Sequence, residues 1–383
     1  MRKIFIVFFL LPFLSFAQDS SLIKCINSNA SFFSDTALHQ HIIANIENLK
    51  DGNFYMISQI HNSKIDIPLE KELLFSLHSR GVYYNISEYP HSAFFLINEY
   101  LKSGDTSILK LISTKAPFNF IKEVYSFNLK QLAEKQIKFF GVDYELYNSD
   151  RGRHYKNSLM FIYNRRKTTI ANTVFENLFS QLDSTDENDI KALTSLHKLL
   201  QTTFYKNEEK IKEIFSNYSD DILLILSAPT EYKSIPKRDK WLFKRFKIVY
   251  DIVLRNNNIP KFIASFGAAH VKASNKKNIT YKLQTFNESP VKGKVVIIGT
   301  QYFNGGGGIK GAKNYTSAGI IDFMATDATL KSISTIFTDK KENVALLQQD
   351  RLNCLENKVE KIAALHWLFL INKQEWVKYW KWE

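Results

Sequence analysis

The stretch from Phe54 to Glu88, FYMISQIHNSKIDIPLEKELLFSLHSRGVYYNISE, constrains the fold more than any other part of the chain. It reads as an apolar strand ending in His61, an amphipathic helix, and a second strand ending in Glu88. Between the strands, Leu69, Leu73, Leu74 and Leu77 recur at helical spacing, and Gly81 sits where a helix stops. A β-α-β unit of this kind crosses over right-handed and lays its strands parallel and near each other. Ligands of such sheets bind beyond the carboxyl ends of the strands. His61 and Glu88 each stand just past an apolar run, so separate strands deliver two ionisable side chains to such ends.

The rest of the chain repeats the alternation. Spacing predicts helices over Asp35 to Leu49, His91 to Lys102, Asn119 to Glu134 and Arg238 to Leu254. Apolar runs predict strands over Ile137 to Tyr144, Phe262 to Phe266 and Lys294 to Gly299. A polar loop, Asn148 to Lys156, precedes a long region, Ser158 to Phe215, whose periodicity fits a helical hairpin or small bundle. Ile222 to Leu226 reads as strand or helix. Glu356 to Trp380 reads as a closing packing helix, with Trp367, Trp376 and Trp380 as an aromatic stripe. Strands that are continuous apolar runs between helices define an α/β fold: a mainly parallel sheet flanked by helices, with a helical insertion at about 158–215.

Residues 1–17 stand apart. MRKIFIVFFLLPFLSFA places Arg2 and Lys3 before an apolar run from Ile4 to Leu14, and the small Ala17 precedes Gln18-Asp19. That is the pattern of a secretory signal cut near Ala17, which makes 18–383 an exported domain, periplasmic or secreted. With 45% hydrophobic and 14% aromatic residues, the chain can bury a substantial core and is no low-complexity segment. The net charge of +13 is spread in short clusters, such as Arg165-Arg166-Lys167, where a solvated helix face explains it; neither a nucleic-acid nor a membrane partner is expected. Cys25 and Cys354 lack metal-site spacing. They fit one disulfide near the two ends or two unpaired thiols.

Individually, His61, Glu88, Asp143 and His270 admit bland roles as core, surface or capping groups. Their common placement is what singles them out. Each follows an apolar strand, and parallel strands bring such residues to a shared edge. The small residues of Gly267-Ala268-Ala269 leave room for a ligand beside His270. Gly305 to Gly308 is no phosphate loop, because the Gly-Lys-Ser/Thr ending is absent. No Gly-x-Ser-x-Gly elbow of a serine hydrolase occurs either.

At these residues the chain resembles the erythromycin esterase family and the wider superfamily that includes TraB/TIKI-type metalloproteases and a haem-uptake lipoprotein. That family opens with a strand closing in Gly-Glu-x-x-His-Gly, then a helix, then Gly-Phe and a strand ending in Glu. Here Ser58-Gln59-Ile60-His61-Asn62, Gly81-Val82 and Glu88 occupy those positions. Ala93 to Gly104, Phe140-Gly141-Val142-Asp143, Arg238-Asp239-Lys240-Trp241-Leu242 and Phe266 to Val271 follow in family order. Two departures stand out: Ser58 replaces the first Glu, and Asn62 replaces the Gly after the His.

The resemblance implies hydrolysis of a small-molecule ester or lactone without a cofactor. In that reading His61 is the general base, Glu88 orients it, and His270 polarises the carbonyl or holds the substrate, while Asp143, Lys71 and Arg238 bind substrate. A histidine base suits neutral pH, since its unperturbed pKa is about 6.5. His61, Glu88 and His270 also fit a second pattern, a TraB/TIKI-like site in which a divalent metal activates water. A third reading, motivated by Ser58, is a non-catalytic ligand-binding protein of the same fold.

Overall fold

The computed structural model describes residues 23–59, 63, 65–112, 118–171, 173–229, 234–271, 276–303, 317–319, 327–352 and 365–372. The signal segment 1–17, His61, Cys354 and the loop 304–308 lie outside them. The strands in chain order are β1 (Ser31–Phe33), β2 (Phe54–Gln59), β3 (Val82–Ser87), β4 (Lys138–Gly141), β5 (Lys261–Gly267), β6 (Val295–Phe303), β7 (Ser317–Gly319), β8 (Val344–Gln348) and β9 (Trp367–Asn372). The class is α/β, with mostly parallel strands flanked by helices.

The chain divides into two compact units. The first contains the described residues within 23–77, 266–276 and 294–372. Its centre is β6, VVIIGTQYF, buried at all nine positions. β-branched residues in a continuous apolar run suit a strand covered on both faces. β2 pairs with it in parallel, Phe54 opposite Val295 through Ile57 opposite Ile298. β9 pairs with it in parallel on from Ile298 opposite Trp367. β8 runs antiparallel to β9, and β1 antiparallel to β8.

β9 corrects the helix predicted over Glu356 to Trp380; of that span only 365–372 is described. The tryptophan spacing imitates a helix stripe, but WLFLI is an unbroken apolar run, and all six residues of β9 are buried. A strand between two neighbours buries both faces, which a one-striped helix does not. His366 fixes the start of the strand: its N–H donates to Ile297 O at 2.9 Å, and its Nδ1 accepts from Ile297 N at 3.1 Å.

The second unit contains residues 78–265 and 277–293, with 379–383 outside the described residues. Here β3 is flanked in parallel by β4 and β5. The helix His91–Ser103 packs on β4. The region predicted as a hairpin or small bundle forms the helices Ser149–Ile170, Val174–Ser184, Ile190–Lys206 and Glu208–Phe215, which pack on one another. Ser219–Leu226 follows as a helix, which settles Ile222 to Leu226.

The polar loop predicted over Asn148 to Lys156 is instead the opening of a helix. Asn148 caps it, accepting from Arg151 N at 3.0 Å. Gly152 lets it pack closely, because a Cβ there would lie 2.3 Å from Glu187 O. No helix of the described residues is long and apolar enough to cross a membrane.

Candidate functional site

In the second unit, β3 and β4 end side by side and then turn together. Val142 N donates to Ser87 O at 3.1 Å, and Asp143 N to Tyr89 O at 3.2 Å. Gly141 permits this, since a Cβ there would lie 2.4 Å from Tyr89 O. The turn thus presents Glu88 and Asp143, both buried, beyond the carboxyl ends of adjacent parallel strands.

Arg238 meets both from the opening turn of the helix Ile235–Leu254. Its Nε donates to Asp143 Oδ1 at 3.0 Å and its Nη2 to Asp143 Oδ2 at 2.8 Å. The same Nη2 lies 2.6 Å from Glu88 Oε1. This forked geometry is the strong form of the guanidinium–carboxylate pair. Burial pushes the Arg238 pKa down, but the bonds to Asp143 and the charges of Asp143 and Glu88 outweigh it and hold it above its ordinary value. Arg238 therefore stays a cation, and it fixes the direction in which Glu88 faces.

A second arginine completes the cluster. Arg151 Nη1 donates to Asp143 Oδ2 at 3.0 Å and to Tyr144 O at 2.9 Å. Its guanidinium lies 4.6 Å from the centre of the Tyr144 ring, 5.3 Å from Tyr89 and 5.9 Å from Tyr147. Tyr89 is held in its phenol form by burial, which raises its pKa despite Arg151. Its hydroxyl shares a hydrogen bond of 3.3 Å with Nε2 of His154, whose pKa burial lowers to about 3.

Beneath this layer lies another charge pair. Glu145, with no exposure, accepts from His91 N at 2.9 Å and Ser92 N at 3.3 Å. Arg245 Nη2 lies 3.6 Å from Glu145 Oε1. Burial raises the Glu145 pKa, against the pull of Arg245, and lowers that of Arg245. Asp143 and Glu145 alternate along the segment that follows β4, while Arg238 and Arg245 are seven apart on one helix face. The two acids and two bases stack in register.

The first unit holds the other sequence candidates that are described. Ser58, the last residue but one of β2, has no exposure. Its Oγ accepts from Thr300 N at 2.7 Å, and Thr300 Oγ1 donates to Ser58 O at 2.7 Å. Its hydroxyl is thus engaged in tying β2 to β6. His270, buried, sits in the helical turn Ala268–Val271 just after β5, and that turn packs on β2. Lys71 lies on the helix Asp66–His78, 3.5 Å from Glu72. Tyr302, at the end of β6, donates to Asp66 at the start of that helix.

Glu88, Asp143 and Arg238 are therefore brought together in one unit, while Lys71 and His270 belong to the other. Sequence reasoning passed over Arg151, Glu145 and Arg245. The seven-residue spacing of two arginines on an otherwise apolar helix face was the available signal. Among the described residues, no three His, Cys, Asp or Glu side chains are grouped to hold a metal ion. Glu88 Oε1 already faces a cation at 2.6 Å, which fits poorly with a divalent metal on the same oxygen.

No protein-family model matches the chain, and no curated protein does. Solved structures do match. A Bacillus cereus protein is similar at 13% identity and a TM-score of 0.65, covering 94% of this chain and 98% of its own. A succinoglycan biosynthesis protein is similar at 14% and 0.61, covering 93% and 97%. An erythromycin esterase, EreC, crystallised as a histidine-to-asparagine mutant in its open conformation, is similar at 11% and 0.51, covering 90% and 98%. The chain therefore shares its α/β fold with these three proteins. At such identities the likeness is one of fold.

Proposed function

We propose that this chain is an exported member of the erythromycin esterase superfamily, released by cleavage near Ala17. It hydrolyses an ester or lactone of a small molecule with a histidine-activated water. The observation that carries the reading is Glu88: a buried carboxylate past the end of a parallel strand, fixed by Arg238 at 2.6 Å, in a fold shared with an erythromycin esterase. A carboxylate held by a guanidinium suits an orienting or hydrogen-bonding role. His61 is assigned as base and His270 as the group that polarises the carbonyl, with Asp143 and Arg238 shaping the substrate side and Lys71 contacting substrate.

Ser58 favours a second reading. Its hydroxyl is bonded to Thr300, where the family resemblance places a carboxylate, and a fold that has lost that group can serve as a ligand-binding protein. Hydrolysis of a panel of esters and macrolides by residues 18–383, beside His61→Ala and Glu88→Gln and with and without EDTA, separates the readings. Turnover lost in both variants and unchanged by EDTA is expected. Turnover abolished by EDTA moves the mechanism to a metal, and an inert wild type moves it to binding.

A further inference from the structure

We infer that Arg151 and Tyr147 form an oxyanion-binding subsite, which takes a ligand carboxylate or phosphate; this goes beyond the hydrolase reading and does not depend on it. Both protein bonds of Arg151 leave from Nη1. Nε and Nη2, the second edge of the guanidinium, donate to no described residue. The side chain keeps 12% of its surface exposed. A guanidinium with one edge fixed by a carboxylate and the other open is set for a forked pair with a ligand oxyanion.

The surroundings hold it rigid. Asp143 and the Tyr144 carbonyl fix one edge, and the rings of Tyr89 and Tyr144 flank the cation. Tyr147 differs from them: its ring is 65% exposed although it lies 5.9 Å from the same cation and packs edge-on against Tyr144 at 5.6 Å. An aromatic ring open to solvent beside an open arginine edge offers a face to the body of the ligand whose oxyanion Arg151 holds.

Electrostatics permit the anion. Glu88 and Asp143 carry two negative charges, and Arg238 and Arg151 two positive, so the ligand meets a neutral cluster. The whole chain, at +13, attracts anions at long range.

Calorimetric titration of residues 18–383 with benzoate, inorganic phosphate and neutral benzamide tests the subsite. Saturable binding of benzoate or phosphate is expected, with benzamide at least about tenfold weaker, and the preferred anion tells carboxylate from phosphate. Arg151→Gln is expected to weaken anion binding by about tenfold or more, as for loss of a charge-assisted pair, and Arg151→Lys to restore part of it. Tyr147→Ala, at an exposed position, keeps the melting temperature and weakens benzoate, which covers the case in which Arg151→Gln fails to fold. The inference is overturned if wild type binds neither anion, or if the Arg151 and Tyr147 variants bind as wild type does. Because the readout is binding, an enzyme with no ester turnover can still pass it.

Discussion

Replacing Arg245 with Met is the sharpest test of how the second unit is held together. The guanidinium is 1% exposed. It donates to Leu224 O at 2.6 Å, Ser227 Oγ at 3.2 Å and Gly141 O at 3.3 Å, joining the helix Ser219–Leu226 to the end of β4. Met fills the space but supplies neither charge nor donors. Glu145 is left as a buried carboxylate with two backbone N–H donors. Removing one partner of a buried pair costs about 3–5 kcal/mol, a factor of more than a hundred in the folding equilibrium.

The pH dependence has a definite sign. Arg245 pulls the Glu145 pKa down, so its loss lets that pKa rise further above the usual carboxylate value. Above the folded pKa the variant must bury an unpaired charge and bears the full cost. As pH falls through it, Glu145 takes up a proton and the cost shrinks. Urea unfolding followed by circular dichroism, for wild type and variant at pH 8 and pH 5, should therefore show a smaller gap in acid. Glu145→Gln combined with Arg245→Met should cost less than Arg245→Met alone. A single-variant cost below about 1 kcal/mol, or a gap that widens in acid, would refute the idea that this pair carries an uncompensated charge when broken.

Thr300→Val removes the donor to Ser58 O and should lower stability by about 1–3 kcal/mol, read as a drop in thermal midpoint; an unchanged midpoint would mean that the Ser58–Thr300 tie is dispensable. His197, with Nε2 bonded to Ala228 O at 3.1 Å and Nδ1 to the Tyr155 hydroxyl at 3.2 Å, has its pKa lowered by burial to about 4. Unfolded, it takes a proton near 6.5, so wild type should lose stability as pH falls from 6.5 towards 4, and His197→Gln should flatten that slope. Cys25 is disulfide-bonded, and the sequence holds one other cysteine, Cys354; unreduced, denatured protein should give no thiol signal in a colorimetric assay.

How much of this was legible in the sequence follows from what each residue had to satisfy. β2, β3, β5 and β6 are apolar runs, and the helices between them carry one apolar stripe, so pattern alone locates them to within a few residues. β9 is as apolar, but three tryptophans at near-helical spacing masked it. The helix start at Ser149 is hidden because Asp150, Arg151, Gly152 and Arg153 carry no apolar periodicity; tertiary contacts at Gly152 hold it instead. Glu88, Asp143 and Arg238 could be singled out because they follow strands or open a helix. Arg245 and Glu145 could not, since a charge in a sequence is read as solvated, and only packing shows that these two are dry.

Ser58 brings the fold and the chemistry into direct conflict. At the end of β2, position 58 has no exposure, and its hydroxyl accepts the backbone N–H of Thr300, a bond that ties β2 to the next residues of β6. A serine is small enough to make that bond within the sheet. Where the family resemblance would use a carboxylate, this chain therefore has a hydroxyl committed to the sheet. In the hydrolase reading proposed above, Glu88 is the carboxylate that remains for that role. Glu88, in the other unit, is held by a cation of its own, with Arg238 Nη2 at 2.6 Å, a charge-assisted contact that fixes its direction.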